Sequence, residues 1–299
     1  MLKNLPVVIA TYSRRMRLQL PNGKQVIARI KGKRIKPVCA DRVEAEPIAN
    51  EKDWLITKIL DRDNELRRPN LRGQIDVLAA NIELLVVVTA GSPTPDWYIV
   101  DRYLCAAEDM RVAAAVVYNK TDLEPNRASA QAEMDQFRAI GYPTVMCSAE
   151  TGDNMDKLKS VLAGRIAIIV GQSGVGKSSI INNLTNSDVL PTATISRKSG
   201  AGRHTTVNSV LLPLQGGGAV IDSPGVRDYA PALESVALVS HLYREIETAG
   251  RECRFNNCRH TREPGCAVKQ AVADEQISAR RYESYKRMLI LTENFNVNR

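Results

Sequence analysis

The sequence predicts three joined units: a small N-terminal β-barrel over residues 1–68, a doubly wound α/β domain over 69–232 and a helical, metal-binding region over 233–299. Three observations carry this. Short β-rich runs fill the first unit, strands alternate with helices through the second, and three cysteines and a histidine crowd positions 253 to 266 of the third. At 299 residues there is room for several domains, and 44% hydrophobic with 25% charged residues is a globular composition that excludes a largely disordered chain. The longest apolar runs, such as Leu84–Val88 and Val112–Val117, fall far short of the roughly 20 residues of a membrane span. Pro6–Ala10 is too short for a signal-peptide core and is followed by Arg14, Arg15 and Arg17, so a cytoplasmic protein without a membrane partner is expected.

In the first unit, Met16–Leu20 and Gln25–Ile30 are strands joined across the hairpin signal Pro21-Asn22-Gly23-Lys24. Val7–Thr11, Pro37–Glu44 and Asp53–Ile59 supply three more strands. Five short strands fit an OB-type barrel, and an SH3-like barrel leaves much the same trace. In the second unit, Asn81–Thr89 is a continuous apolar run of the buried parallel kind. It is followed by a helix over Trp97–Met110, a strand over Val112–Tyr118, a helix over Asn126–Ile140 and a strand over Pro143–Cys147. A helix over Asn154–Ala163, a strand over Arg165–Val170, a helix from about Lys177 and strands over Ser209–Leu214 and Ala219–Asp222 complete the α/β pattern. After Leu233 the chain is mostly helical.

Charge is unevenly divided. The chain has 41 basic and 33 acidic residues, net +8; Met1–Arg68 alone holds 16 basic and 8 acidic, so the rest is neutral. A solvated basic face is one reading, and a polyanion partner is the other. Lys31-Gly32-Lys33-Arg34-Ile35-Lys36 can lie along a phosphate backbone, whereas only Tyr12 and Trp54 are present for base stacking, so backbone contact is expected more than base reading.

Gly171-Gln172-Ser173-Gly174-Val175-Gly176-Lys177-Ser178, followed by Ser179, is a P-loop between a predicted strand and a predicted helix. Its glycines let backbone N–H groups turn inward, the helix N-terminus adds positive potential, Lys177 reaches the β/γ-phosphates, and Ser178 offers a hydroxyl to Mg²⁺. Downstream, Asp222-Ser223-Pro224-Gly225 offers a carboxylate toward that Mg²⁺ and a glycine N–H toward the γ-phosphate. Gly202-Arg203-His204-Thr205-Thr206 lies between them in a polar stretch, the candidate first switch, where a threonine can complete the Mg²⁺ shell. Asn119-Lys120-Thr121-Asp122 follows a strand, and the Asp122 carboxylate can accept both guanine N1–H and its exocyclic amine, a pair that adenine lacks. Ser148-Ala149-Glu150 supplies a second base-contacting loop, so the nucleotide is read as GTP rather than ATP.

Cys253, Cys258, His260 and Cys266 give C-x4-C-x-H-x5-C, four soft ligands suited to one tetrahedral, structural Zn²⁺. The intervening sequence has little core of its own, so the metal supplies local folding energy on the order of 10 kcal/mol. Arg251, Arg254, Arg259 and Arg262 interleave with these ligands and are either solvated or aimed at RNA phosphate. Cys39, Cys105 and Cys147 are scattered and read as small core residues, and His241 is given no chemical role.

The order of the motifs is unusual, because the base-reading loops at Asn119 and Ser148 precede the P-loop at Gly171. This arrangement resembles the circularly permuted GTPases, and the entire layout is similar to the bacterial ribosome small-subunit-dependent GTPase family, with OB, permuted GTPase and zinc domains. The resemblance implies a GTP hydrolase of low intrinsic rate that binds the small (30S) subunit and its 16S rRNA and assists late maturation. It also implies that the subunit stimulates hydrolysis and that GTP to GDP turnover accompanies release. The residue after the DxxG glycine is Val226, which cannot orient water as glutamine does in many GTPases. The resemblance implies catalysis by His204, with an exposed or partner-contacting loop histidine as the alternative. Where the family commonly carries three threonines, this chain has Thr205, Thr206 and then Val207, leaving the Mg²⁺ ligand open between the two threonines. Val226 is also compatible with a nucleotide-gated rRNA-binding module of negligible turnover. Because the second switch leads straight into the zinc region, γ-phosphate contacts are expected to orient that region. Nothing indicates an obligate dimer, and a monomer is expected.

Overall fold

The computed structural model describes residues 5–12, 15–32, 35–69, 74–124, 127–185, 207–223, 233 and 235–297. Strands β1 (Val7–Tyr12), β2 (Met16–Gln19), β3 (Gln25–Ile30), β4 (Val43–Pro47) and β5 (Trp54–Ile59) pair in the order β1-β2-β3-β5-β4, with β3 and β5 parallel. The barrel closes where residues 40–43 return to β1, through Val8 N–H to Asp41 O (2.9 Å), Ala40 N–H to Val8 O (2.9 Å) and Val43 N–H to Pro6 O (3.0 Å). Val8, Leu18, Ala28, Val43 and Ile56 fill its interior. The expected hairpin is present, with Lys24 N–H bonded to the Asn22 side chain at 3.0 Å.

Two expectations for this region need correction. Pro37–Glu44 was expected to be one strand, but β4 starts only at Val43. The preceding residues form a turn instead, because the buried Asp41 carboxylate accepts Val38 N–H at 2.8 Å and is gripped by Arg62 at 2.7 and 2.9 Å. An unexpected hairpin, β6 (Glu65–Pro69) with β7 (Ile75–Ala80), spans the expected unit boundary at 68/69. Leu66 is the one fully buried residue of β6, so no apolar alternation marks it.

The α/β domain follows its predicted order: β8 (Leu84–Ala90), α1 (Trp97–Met110), β9 (Ala113–Asn119), α2 (Ala128–Ala139), β10 (Thr144–Met146), α3 (Met155–Leu162), β11 (Ile166–Gly171), α4 (Lys177–Thr185), β12 (Val207–Pro213) and β13 (Ala219–Asp222). Its strands run β10-β9-β8-β11-β13-β12, all parallel except β12, which is antiparallel to β13. Strand side chains alternate between two cores, as pleating requires. Leu85, Val87, Val116 and Ile168 face Tyr103, Leu104 and Phe137 of α1 and α2; Leu84, Val86, Val117 and Ile169 face Leu158 and Ile180 of α3 and α4. β12 also pairs with β1, Thr11 opposite Ser209 and Tyr12 opposite Val207, making one sheet of eleven strands.

The C-terminal region comprises a 3₁₀ turn over Val236–Leu242, α5 (Arg244–Gly250), α6 (Ala267–Ala273) and α7 (Ala279–Val297). Leu233, Val239, Tyr243, Ile246, Val268, Tyr285 and Met288 form its core, which Cys105 of α1 joins. A buried charge network fastens it to the α/β domain. The Asp101 carboxylate of α1 accepts from Arg280 and Arg281 of α7, each at 2.6 Å, while Arg281 also grips Glu245 at 2.7 and 3.0 Å and Arg280 reaches Glu133 of α2 at 2.9 Å. Cys39, Cys105 and Cys147 are buried as expected, and the His241 side chain faces outward. Among the described residues no helix is long and apolar enough to cross a membrane.

Candidate nucleotide site and metal centre

Parallel pairing puts the C-terminal ends of β8, β9, β10, β11 and β13 along one rim of the sheet, where open α/β folds bind ligands. The loops from β9, β10 and β11 meet there. Asn119, only 1% exposed, is the junction: its Nδ2 donates to Val175 O of the P-loop at 3.0 Å and its Oδ1 accepts Ala149 N–H at 3.0 Å. Lys120, held at φ +63°, donates through Nζ to Gly174 O at 2.7 Å and to Ser92 O at 2.8 Å. Thr121 is buried, its N–H bonded to Cys147 O at 3.2 Å. Asp122 is exposed at the surface of this junction, and the Ser148 hydroxyl donates to its Oδ1 at 2.5 Å, fixing the plane of the carboxylate. A planar, oriented acceptor at a loop mouth can read a donor pair on a base edge.

The P-loop is tight where the motif demands glycine. Gly171 adopts φ +137°, and a Cβ there would lie 2.0 Å from Val88 O; at Gly176 (φ +91°) it would lie 2.4 Å from Asn119 Nδ2. Lys177, in the first turn of α4, donates to Gly171 O at 2.8 Å and Gln172 O at 2.7 Å, so its charge is held beside the loop. Ser173 and Gly174 are exposed on the loop, and Ser178 and Ser179 continue the first turn of α4. Asp222 ends β13, and the adjacent Ser223 hydroxyl accepts from Ser209 Oγ at 3.0 Å in a buried pair. His204, Thr205, Thr206, Gly225 and Val226 lie outside the described residues.

The second centre brings all four expected ligands together. The Cys253, Cys258 and Cys266 sulfurs and a His260 nitrogen lie within 4.8 Å of one another. His260 Nδ1 is 3.4 Å from Cys253 Sγ and 3.5 Å from Cys266 Sγ, and those sulfurs are 3.9 Å apart. A tetrahedral ion with metal–sulfur bonds of about 2.3 Å and metal–nitrogen bonds of about 2.0 Å needs edges of about 3.8 and 3.5 Å, so the donor set fits such an ion. Desolvation lowers the His260 pKa and favours the neutral imidazole a metal requires.

Several supporting residues carried no sequence signal, because their partners are distant in the chain. Tyr282 O–H donates to His260 O at 2.6 Å and Tyr285 O–H to Arg259 O at 2.8 Å, so α7 props the metal loop from below. The Glu263 carboxylate accepts Arg259, Thr261 and Arg262 N–H groups at 2.9–3.0 Å. Although desolvation opposes it, these backbone donors bring Glu263 down to about 2. Ser92 beneath Lys120 and Ser209 beside Ser223 were equally invisible.

Comparison with known proteins places the chain among GTPases. The model of the RsgA GTPase family matches residues 59–231. The small ribosomal subunit biogenesis GTPase RsgA of Ectopseudomonas mendocina (strain ymp) is 40% identical over 254 residues, 84% of this chain and 74% of that protein. The protein of the same name from Actinobacillus pleuropneumoniae serotype 5b is 42% identical over 237 residues, 79% and 69% of the two chains. The crystal structure of YjeQ from Thermotoga maritima matches with a TM-score of 0.76 at 28% identity, over 97% of this chain and 98% of that one. In fold alone, YloQ, a circularly permuted GTPase, matches with a TM-score of 0.73 at 22% identity, over 97% and 95%. With the candidate base-reading loops ahead of the P-loop in sequence yet joined to it through Asn119, this chain belongs to the RsgA family of circularly permuted GTPases.

Proposed function

We propose that the chain hydrolyses GTP in the cytoplasm while bound to the small ribosomal subunit, assists a late step of that subunit's maturation, and is released as GDP forms. The observation that carries the nucleotide assignment is the Asn119 junction, which ties Ala149 to the P-loop while the neighbouring Ser148 holds Asp122. In this reading Asp122 pairs with guanine, Lys120 packs along the base, Lys177 meets the β/γ-phosphates, and Ser173 to Ser179 supply N–H and hydroxyl donors. Mg²⁺ accompanies GTP: the hydroxyls of Ser178 and of Thr205 or Thr206, with the Asp222 carboxylate, are hard oxygen donors suited to it. His204 is assigned to catalysis on the family resemblance, and Val226, which has no polar group with which to orient water, leaves that role to another group. Cys253, Cys258, His260 and Cys266 hold one structural Zn²⁺, which when bound supplies rigidity and no chemistry.

The domain assignment is an OB-type barrel for 1–68, the GTPase for 69–232 and the zinc domain for 233–299, acting as a monomer, with the β6–β7 hairpin bridging the first boundary. The strand order β1-β2-β3-β5-β4 with β3 parallel to β5 supports an OB-type barrel, a fold whose β2–β3 face and adjoining loops take nucleic acid. The entire net charge of the chain resides on this unit, which suits rRNA phosphate.

Steady-state GTP hydrolysis measured alone and with purified small subunits, with ATP and large subunits as controls, tests this reading. Activation by small subunits with GTP alone is expected, and His204→Ala should lose it. Turnover that small subunits leave unchanged would instead favour a nucleotide-gated RNA binder.

A further inference from the structure

Phe255, at 40% exposure, is the most exposed phenylalanine, tyrosine or tryptophan among the described residues. Exposing a ring forgoes burial worth about 1.5–3 kcal/mol, and this chain contains only three phenylalanines. Its position is defined rather than incidental: it lies between the metal ligands Cys253 and Cys258, with Cys258 N–H bonded back to Phe255 O at 3.1 Å. A groove of about 810 Å³ runs beside it, walled by the 3₁₀ turn, the end of α5 and α7, with the Asn256 and Asn257 amides on the same wall. That volume is within the range of small-ligand sites.

The charges around the ring indicate what it meets. Arg254 stacks its guanidinium 5.4 Å from the Phe255 centroid, and Arg251, whose side chain is 72% exposed, lines the groove while paired with Glu247 at 3.5 Å. Within 253–266 the single acidic residue, Glu263, is turned inward on three backbone N–H groups, so with Arg251 shared with Glu247 it is Arg254 beside the ring that carries the positive charge of this surface.

We propose that Phe255 is a stacking platform for one unpaired RNA base, whose edge meets the Asn256 and Asn257 amides and whose flanking phosphates meet Arg251 and Arg254. This rests on the small-subunit reading above and adds the zinc loop as a base-specific contact, distinct from the phosphate contact expected of the barrel. Stacking on an aromatic side chain is available to any base, while the amides can select among base edges.

The test uses the full zinc-loaded chain with a non-hydrolysable GTP analogue and purified small subunits, across a salt series. Phe255→Leu keeps apolar volume without a π-face, and Phe255→Trp keeps the stack; zinc content and intrinsic GTP hydrolysis of both report folding. Phe255→Leu should weaken binding about tenfold with no change in the slope of log Kd against log salt, whereas Phe255→Trp binds as tightly as the parent. Arg254→Ala should lower that slope by about one. Chemical probing should find one rRNA base protected by the parent and by Phe255→Trp but reactive with Phe255→Leu. Parental affinity for Phe255→Leu overturns the proposal, as does weakened binding with no base changing reactivity, which would assign the ring to a ribosomal protein. Failure of the parent itself to bind small subunits would instead overturn the functional reading.

Discussion

Replacing Arg281 with Met removes the centre of the charge network that fastens the C-terminal helices to α1. The network contains three carboxylates, Asp101, Glu133 and Glu245, and two guanidiniums, Arg280 and Arg281. Arg281 makes three of its hydrogen bonds, one to Asp101 and two to Glu245. Asp101 has no exposed surface, so it cannot regain water when its partner is lost. Removing one partner of such a buried pair costs about 3–5 kcal/mol, chiefly the uncompensated charge left behind. At about 2–4 °C per kcal/mol for a unit of this size, the melting temperature should fall by about 10 °C or more. Asp101→Asn should cost less, because it removes negative charge from a cluster with an excess of it and leaves Arg280 with Glu133 and Arg281 with Glu245. The double variant should recover about 1–2 kcal/mol relative to the sum of the single changes. Calorimetry of the zinc-loaded protein reads these numbers, and GTP affinity is a control because no nucleotide loop belongs to the cluster. An Arg281→Met protein as stable as the parent, or an Asp101→Asn protein less stable than Arg281→Met, would refute the reasoning.

Other perturbations address the two centres. Asp122→Asn should shift preference from guanine to xanthine nucleotides in competition binding, since an amide offers one acceptor and one donor where the carboxylate offers two acceptors. Gly176→Ala should weaken GTP binding by about tenfold or more, because it combines a backbone strain of about 1–3 kcal/mol with a Cβ 2.4 Å from the Asn119 amide, displacing the junction. Chelation of zinc should make the 253–266 loop susceptible to proteolysis and reduce helicity, while intrinsic GTP hydrolysis persists, because the ligands come from a single loop away from the P-loop.

Much of this architecture could be read from local sequence. The buried parallel strands announce themselves as apolar runs, α1 matches its predicted limits because Asp96 caps it at 3.0 and 3.3 Å, and the four metal ligands are close in sequence as well as in space. The P-loop and guanine motif are legible for the same reason, since backbone geometry and ligand chemistry restrict the residues allowed. The remainder depends on groups far apart in the chain. Arg62 reaching back to Asp41 turns an expected strand into a turn, and Arg281 meets Asp101 across 180 positions. The orientation of the C-terminal helices was expected to follow the second switch, yet residues 224–232 lie outside the described segments. The contacts on view fasten those helices to α1 and α2.

The pairing of β1 with β12 bears on how the barrel can be studied. Deleting residues 1–68 removes more than a basic surface, because Ala10, Thr11 and Tyr12 pair with the outer edge of β12. A truncated chain would present β12 as a bare sheet margin, available to other chains and no longer held in register beside Asp222. Loss of subunit binding or of turnover in such a fragment would therefore mix aggregation and a displaced β12 with the loss of RNA contact. Charge reversal at exposed barrel positions such as Arg17 or Lys24, which leaves the ladder whole, separates the two.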